Sequence, residues 1–136
     1  MIYLDSAAVV KLIRAEEHSA ELAAWLANYP DSTLVSSALI EVEVPRALRR
    51  AAPQALVAVP AALDRLSRHD IDQTVRATAA AYEDRDLRSL DAIHLATAQI
   101  LVSESAERLV TFVSYDKRLL ASAAAAGLPT ASPGTT

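Results

Sequence analysis

The chain has no cysteine, and only two glycines and one each of methionine, tryptophan and phenylalanine among its 136 residues. Without thiols there is neither a disulfide framework nor a zinc–thiolate site, so a reducing cytosol is permitted. So little glycine, with six prolines, excludes collagen-like and low-complexity architectures. No apolar stretch approaches the roughly 18 uninterrupted residues of a membrane span. The opening MIYLDSAAVVKLI carries no basic leader and places Asp5 inside its first apolar run, which argues against a signal peptide. We therefore expect a soluble cytoplasmic protein without membrane contact. A large basic surface is missing too: the net charge is −4, which speaks against holding nucleic acid by charge alone. It leaves a nuclease open, because a divalent metal bound by acids reverses the local field and arginines still reach phosphate.

What is present is globular: 52% hydrophobic and 22% charged residues, at a length that suits one domain. We read that domain as residues 1–131, with 132–136 (SPGTT) as a flexible tail. The MIYLD run reads as a strand, with Ser6 offering an N-cap to a helix carrying Val9, Val10, Leu12 and Ile13. Ser19 to Tyr29 reads as a helix with Leu22, Trp25 and Leu26 toward the core, and Thr33 to Ser36 as a second strand. A helix follows from Leu39 to Arg50, in which Pro45 sits either in the first turn or at a kink. Pro53 to Leu66 reads as a helix interrupted or capped near Pro60, His69 to Asp72 as a short strand, and Thr74 to Tyr82 as a helix. The run Glu83 to Asp86 reads as an exposed turn. Ser89 is the expected cap of the helix Leu90 to Val102. Leu109 to Val113 has the continuous apolar, β-branched character of a buried parallel strand. Asp116 opens the next helix, Gly127 is placed to end it, and Leu128 to Ala131 can add an edge strand. Alternating strands and helices predict an α/β fold with a mainly parallel sheet.

Asp5 closes the first strand, Asp116 follows the Leu109 to Val113 strand, and Asp91 lies in the first turn of a helix. In an open parallel sheet these positions converge beyond the carboxyl ends of the strands. Helix N-termini favour an acid there, but several together repel one another and raise their pKa values unless a cation joins them. Oxygen donors suit Mg²⁺ or Mn²⁺, which activate water and neutralise charge on a phosphodiester.

The segments MIYLDSAAVVKL, VSSALIEVEVPRALRR, LRSLDAIHLATA and VSYDKRLLASAAAAG resemble the four acidic motifs of PIN domains, in particular the VapC toxins of toxin–antitoxin systems. The resemblance spans residues 1 to about 130. It implies a three-layer α/β/α sandwich with a central sheet of four to five strands. It implies a metal-dependent endoribonuclease, with Asp5, Glu43 and Asp91 holding Mg²⁺ or Mn²⁺ and Asp116 serving the attacking water or a second ion. Glu41 competes with Glu43 for the second position; two residues apart on a helix, the pair point about 200° from one another, and the spacing from Ser37 favours Glu43. Ser114 stands where the family commonly has Thr and keeps the hydroxyl. The resemblance further implies an RNA substrate, a homodimer, and an antitoxin whose C-terminal segment masks the acidic pocket in a toxin–antitoxin hetero-oligomer, with exposed apolar faces on the first helices suited to that contact.

Arg46, Arg49, Arg50, Arg85 and Arg88 are candidate phosphate contacts, since guanidinium groups pair bidentately with phosphate, although arginines on a helix more often form a solvated face. For His94, three residues after Asp91, a packing or hydrogen-bonding role outweighs that of ligand or base; His18 and His69 read as solvated. Rival folds with acids at strand ends fit less well. A phosphotransfer receiver needs an acceptor Asp on a middle strand and a Lys after the last, and a dehalogenase-like phosphatase needs a second Asp two residues after its nucleophile. A DNA nuclease and a non-catalytic PIN-fold binding module stay open beside the ribonuclease.

Overall fold

The computed structural model describes residues 1–109 and 111–135. Five strands, β1 (Ile2–Leu4), β2 (Leu34–Ser37), β3 (Ser67–His69), β4 (Thr111–Val113) and β5 (Thr130–Ala131), form one sheet in the order β3-β2-β1-β4-β5. Every pairing is parallel, with Tyr3 opposite both Val35 and Phe112. Seven helices connect them: α1 (Ser6–Ile13), α2 (Ser19–Leu26), α3 (Ile40–Ala51), α4 (Val59–Asp64), α5 (Gln73–Ala80), α6 (Ser89–Glu104) and α7 (Lys117–Ala125), with a 3-10 turn over Pro53–Ala58 before α4.

The two-residue side-chain period of a strand sorts the core into two layers. On one face Ile2, Leu4 and Val113 pack with Val9 of α1, Leu22 of α2, Val44 and Leu48 of α3 and Leu63 of α4. On the other, Met1, Tyr3, Val35 and Phe112 pack with Leu95 and Ala98 of α6 and with Leu119 and Ala123 of α7. This is the expected three-layer α/β/α sandwich with a parallel sheet. Helix α6 is buried on most of its circumference, from Ala92 through Ile100, and its alanines allow that close approach. Tyr3 and Phe112 stack with ring centroids 5.0 Å apart, joining the two central strands on that face.

Several local expectations shift. Asp5, not Ser6, caps α1: its Oδ1 accepts from the Ala8 N–H at 3.0 Å, and Ser6 is the first helical residue. Asp is as good a cap as Ser, and here the chain leaves β1 directly into the helix. Ser89 likewise begins α6 rather than capping it; Arg88 holds the cap position with no side-chain bond. The third strand lies at Ser67–His69, upstream of the expected His69 to Asp72, because Asp72 caps α5 through Val75 N at 2.9 Å. Of the Leu109 to Val113 run, Thr111–Val113 is strand and Val110 lies outside the described residues. Pro45 is the sixth residue of α3, past the first turn, so the Glu41 carbonyl loses its intrahelical donor. His18, expected to be solvated, stacks on Tyr115 at 5.6 Å with a left-handed φ of 69°. Asp116 caps α7 as expected, and Gly127 follows its end at φ 85°. Among the described residues no helix is long and apolar enough to cross a membrane.

Phe112 is fully buried between the central strand and α6. Phe112→Ala should lower unfolding stability in urea by about 3–5 kcal/mol, whereas Val57→Ala, at a position 87% exposed, should change it by under about 0.5 kcal/mol.

Candidate active site

After β1 the chain builds outward on one side through β2 and β3, then returns to place β4 on the other side of β1. The crevice at the carboxyl ends of β1 and β4 is therefore the topological switch point where such sheets bind ligands. Asp5 leaves β1 there, its N–H donating to the Val113 carbonyl of β4 at 3.3 Å. Its carboxylate is almost wholly buried. Oδ1 accepts from Ala8 N at 3.0 Å and Oδ2 from the Ser114 hydroxyl at 2.6 Å. Burial raises the pKa of Asp5, opposed by the field of His94 and by these two hydrogen bonds, and reinforced by the charge of Glu43.

Glu43 reaches the same crevice from the first turn of α3. Its Oε1 accepts from the Ser6 hydroxyl at 2.5 Å and lies 2.9 Å from His94 Nε2. Burial pushes the Glu43 carboxyl up, but the bonds to His94 and Ser6 outweigh it and hold the pKa below the usual value. Glu41 points away, half exposed and 3.6 Å from Arg68. Asp91, in the first turn of α6, has its pKa raised by burial and by the charges of Asp116 and Asp5, against Arg88. Asp116 commits Oδ1 to the N–H groups of Arg118 and Leu119 at 2.8 and 3.1 Å. Its Oδ2 lies 3.3 Å from Arg88, which also stands 3.7 Å from Asp91.

The four acids thus share one field, linked through Asp5 to Glu43, Asp5 to Asp91 and Asp91 to Asp116. They do not form a finished coordination shell: among the described residues no three His or acidic side chains are close enough together to hold an ion. The donors nevertheless fit a hard divalent cation, since all are carboxylate oxygens and two, Asp5 and Asp91, are pushed toward protonation by burial and by the charge of neighbouring acids. Ser6 and His94, 3.1 Å apart, are not a nucleophile–base pair. The Ser6 proton goes to Glu43, and Nε2 of His94 faces the same carboxylate, so it carries a proton and cannot take another.

The structure brings Asp5, Glu43, Asp91 and Asp116 to one crevice, and it gives His94 the hydrogen-bonding role expected of it, with partners that the sequence did not indicate. His94 is buried, and its Nδ1 lies 2.7 Å from the Tyr3 hydroxyl. The only sequence signal for this was a polar residue on the buried side of α6. Beside the crevice, Arg46, Arg49 and Arg50 line one depression, and Arg46 and Arg50 also border the cleft formed by Ala7, Val10, Leu39, Val42 and Leu90.

The chain matches the PIN domain family over residues 2–125. It is 50% identical over 134 residues, covering 98% of both chains, to ribonuclease VapC35 of Mycobacterium tuberculosis. It is 36% identical over 137 residues, with 98% of each chain covered, to ribonuclease VapC47 of the same species. In fold it resembles the crystal structure of M. tuberculosis VapC20, a sarcin-ricin loop cleaving toxin, with a TM-score of 0.75 at 17% identity over 98% of this chain and 100% of that one.

Because the folded-state pKa of Asp5 lies above its unfolded value, the native state holds the extra proton, and stability falls as pH rises through the folded pKa. In EDTA, Asp5→Asn should therefore melt a few degrees higher than the parent at about pH 8, with the gain vanishing below about pH 4, where Asp5 is protonated in both states. An amide can accept from Ala8 and donate to Ser114. A lower melting temperature for the variant at neutral pH would mean that the carboxylate's hydrogen bonds outweigh its burial.

Proposed function

This chain belongs to the PIN-domain family, and from that premise we propose that it is a metal-dependent endoribonuclease acting as the toxin of a toxin–antitoxin pair. One observation carries the catalytic reading: a buried carboxylate, Asp5, sits at the switch point of the sheet in the field of Glu43 and Asp91, with no buried lysine or arginine among the described residues to balance them. Close full-length likeness to ribonucleases supports RNA as substrate.

Asp5, Glu43 and Asp91 would hold Mg²⁺ or Mn²⁺, and when bound the ion supplies an activated water and neutralises charge on the phosphodiester. The chain's own residues do the rest. Ser114 and the Ala8 N–H fix both oxygens of Asp5, and Ser6 with His94 fixes one oxygen of Glu43. Asp116, whose Oδ2 is met among the described residues only by the exposed Arg88, is the acceptor left to orient the attacking water or to serve a second ion. Water attack needs no covalent intermediate. Arg46, Arg49 and Arg50 make no ion pair among the described residues and lie one to two helical turns beyond Glu43 on α3, which suits contact with the phosphates flanking the cut. The protein would work in the cytoplasm as a homodimer, silenced by an antitoxin whose terminal segment covers the acidic crevice.

The test is cleavage of total RNA by the purified, antitoxin-free protein. We expect cuts with Mn²⁺ or Mg²⁺, none in EDTA, and loss of at least about 10²-fold in Asp5→Asn, Asp91→Asn and Glu43→Gln, with Glu41→Gln nearly silent. Cleavage of DNA but not RNA would favour a DNA nuclease, and cleavage of neither a binding module. A harmless Glu43→Gln beside an inactive Glu41→Gln would reverse the choice of glutamate. For the arginines, Arg46→Ala with Arg50→Ala should raise KM while sparing kcat, and should flatten the slope of log affinity against log salt by about 1.4 units, about 0.7 for each lost phosphate contact on a single strand; an unchanged slope would remove them from the RNA path.

A further inference from the structure

A polar seam runs through the second face of the sheet behind Glu43. Tyr3, from the central strand, and His94, from α6, are both buried, and neither belongs to the acid set. The Glu43 Oε1 accepts from Ser6 and, 2.9 Å from His94 Nε2, requires that nitrogen to carry its proton. That leaves Nδ1 as an acceptor for the Tyr3 hydroxyl at 2.7 Å. The hydroxyls flanking Tyr3 cannot reverse this order: Ser36 donates to the Leu4 carbonyl at 2.6 Å and Thr97 to the Ile93 carbonyl at 2.7 Å. One tautomer follows from the surroundings. Both donors converge on Oε1, and among the described residues Oε2 accepts no hydrogen bond.

We infer that Tyr3 and His94 form a relay that positions Glu43, locking its Oε1 inward so that Oε2 is the oxygen presented to a divalent cation. The inference rests on the proposed metal-dependent activity. His94 is a positioning residue, neither ligand nor base: both of its ring nitrogens are spent on Tyr3 and Glu43. The physical reason for such a device is entropic. A glutamate has three rotatable side-chain bonds, and a ligand whose orientation is set in advance loses less freedom when it binds.

Manganese titrated calorimetrically into the metal-free full-length protein reads this without reference to activity. The amide nitrogen of Gln reaches about as far as Nε2, and that of Asn only about as far as Nδ1. His94→Asn should weaken Mn²⁺ binding about 10- to 100-fold, His94→Gln should restore affinity close to the parent, and Tyr3→Phe, which keeps the ring and its packing, should weaken it several-fold. Equal affinity in His94→Asn and the parent overturns the relay. So does equal weakening by Asn and Gln, the mark of a merely structural residue. Should His94→Asn fail to fold, Tyr3→Phe decides alone, and parental affinity there overturns the relay. Absence of Mn²⁺ binding by the parent itself overturns the proposed function together with the inference, whereas binding by the parent that His94→Asn leaves intact overturns the inference only.

Discussion

The burial of the Asp5 carboxylate is the constraint to which the neighbouring structure answers. A charged group taken out of water is costly unless it is hydrogen-bonded, and here the partners come from three directions. The Ala8 N–H belongs to the helix Asp5 caps, the Ser114 hydroxyl to the residue after the adjacent strand, and the backbone of Asp5 is tied to Val113. A cap contributes about 1 kcal/mol to its helix, so one residue both starts α1 and supplies the buried charge. This double use requires β1 at the centre of the sheet with β4 beside it, the arrangement seen.

Within the crevice, different surroundings give the acids opposite tendencies. Glu43, held by two side-chain donors, is pulled toward its ionised form, whereas burial pushes Asp5 and Asp91 toward protonation, helped by the charge of Glu43 on Asp5 and of Asp116 and Asp5 on Asp91. The difference traces to Ser6 and to His94, the latter held in a seam with Tyr3, Ser36 and Thr97 buried between the sheet and α6. An apolar seam would pack as well and leave Glu43 without its inner donor. Buried polar networks restrict a core to one arrangement only when every member is satisfied, and here each hydroxyl and ring nitrogen has a named partner.

The parts of the fold legible in the sequence are those governed by local period and by helix ends. The apolar run around Phe112, the acid in the first turn of α6 and the cap at Asp116 all depend on residues within a few positions. That Glu43 and Glu41 face apart was legible for the same reason, since two residues of helix turn one carboxylate away from the other. The cap of α1 was misplaced by one position because Asp5 and Ser6 are equally good caps and only the path of the chain out of β1 separates them. The packing or hydrogen-bonding role favoured for His94 holds, but its partners were out of reach: Tyr3 and Glu43 lie 91 and 51 positions away, and no periodicity reports a contact made through the thickness of the sheet.

A modest net charge of −4 conceals a sharp local separation. The crevice gathers four acids, and the nearest arginine, Arg88, bridges two of them from a side chain 70% exposed, where water screens most of its effect. The arginines on α3 have no acidic partner among the described residues and face the neighbouring surface. A polyanion is therefore drawn to α3 and repelled from the crevice beside it. Close approach of a phosphodiester to Asp5 requires that the crevice first change sign, which an exposed arginine cannot do and a divalent cation among carboxylates can. On the proposed function, the same field that repels a polyanion from the crevice would make cation binding a precondition of substrate entry, and would make any basic segment of a partner protein a direct competitor for that position.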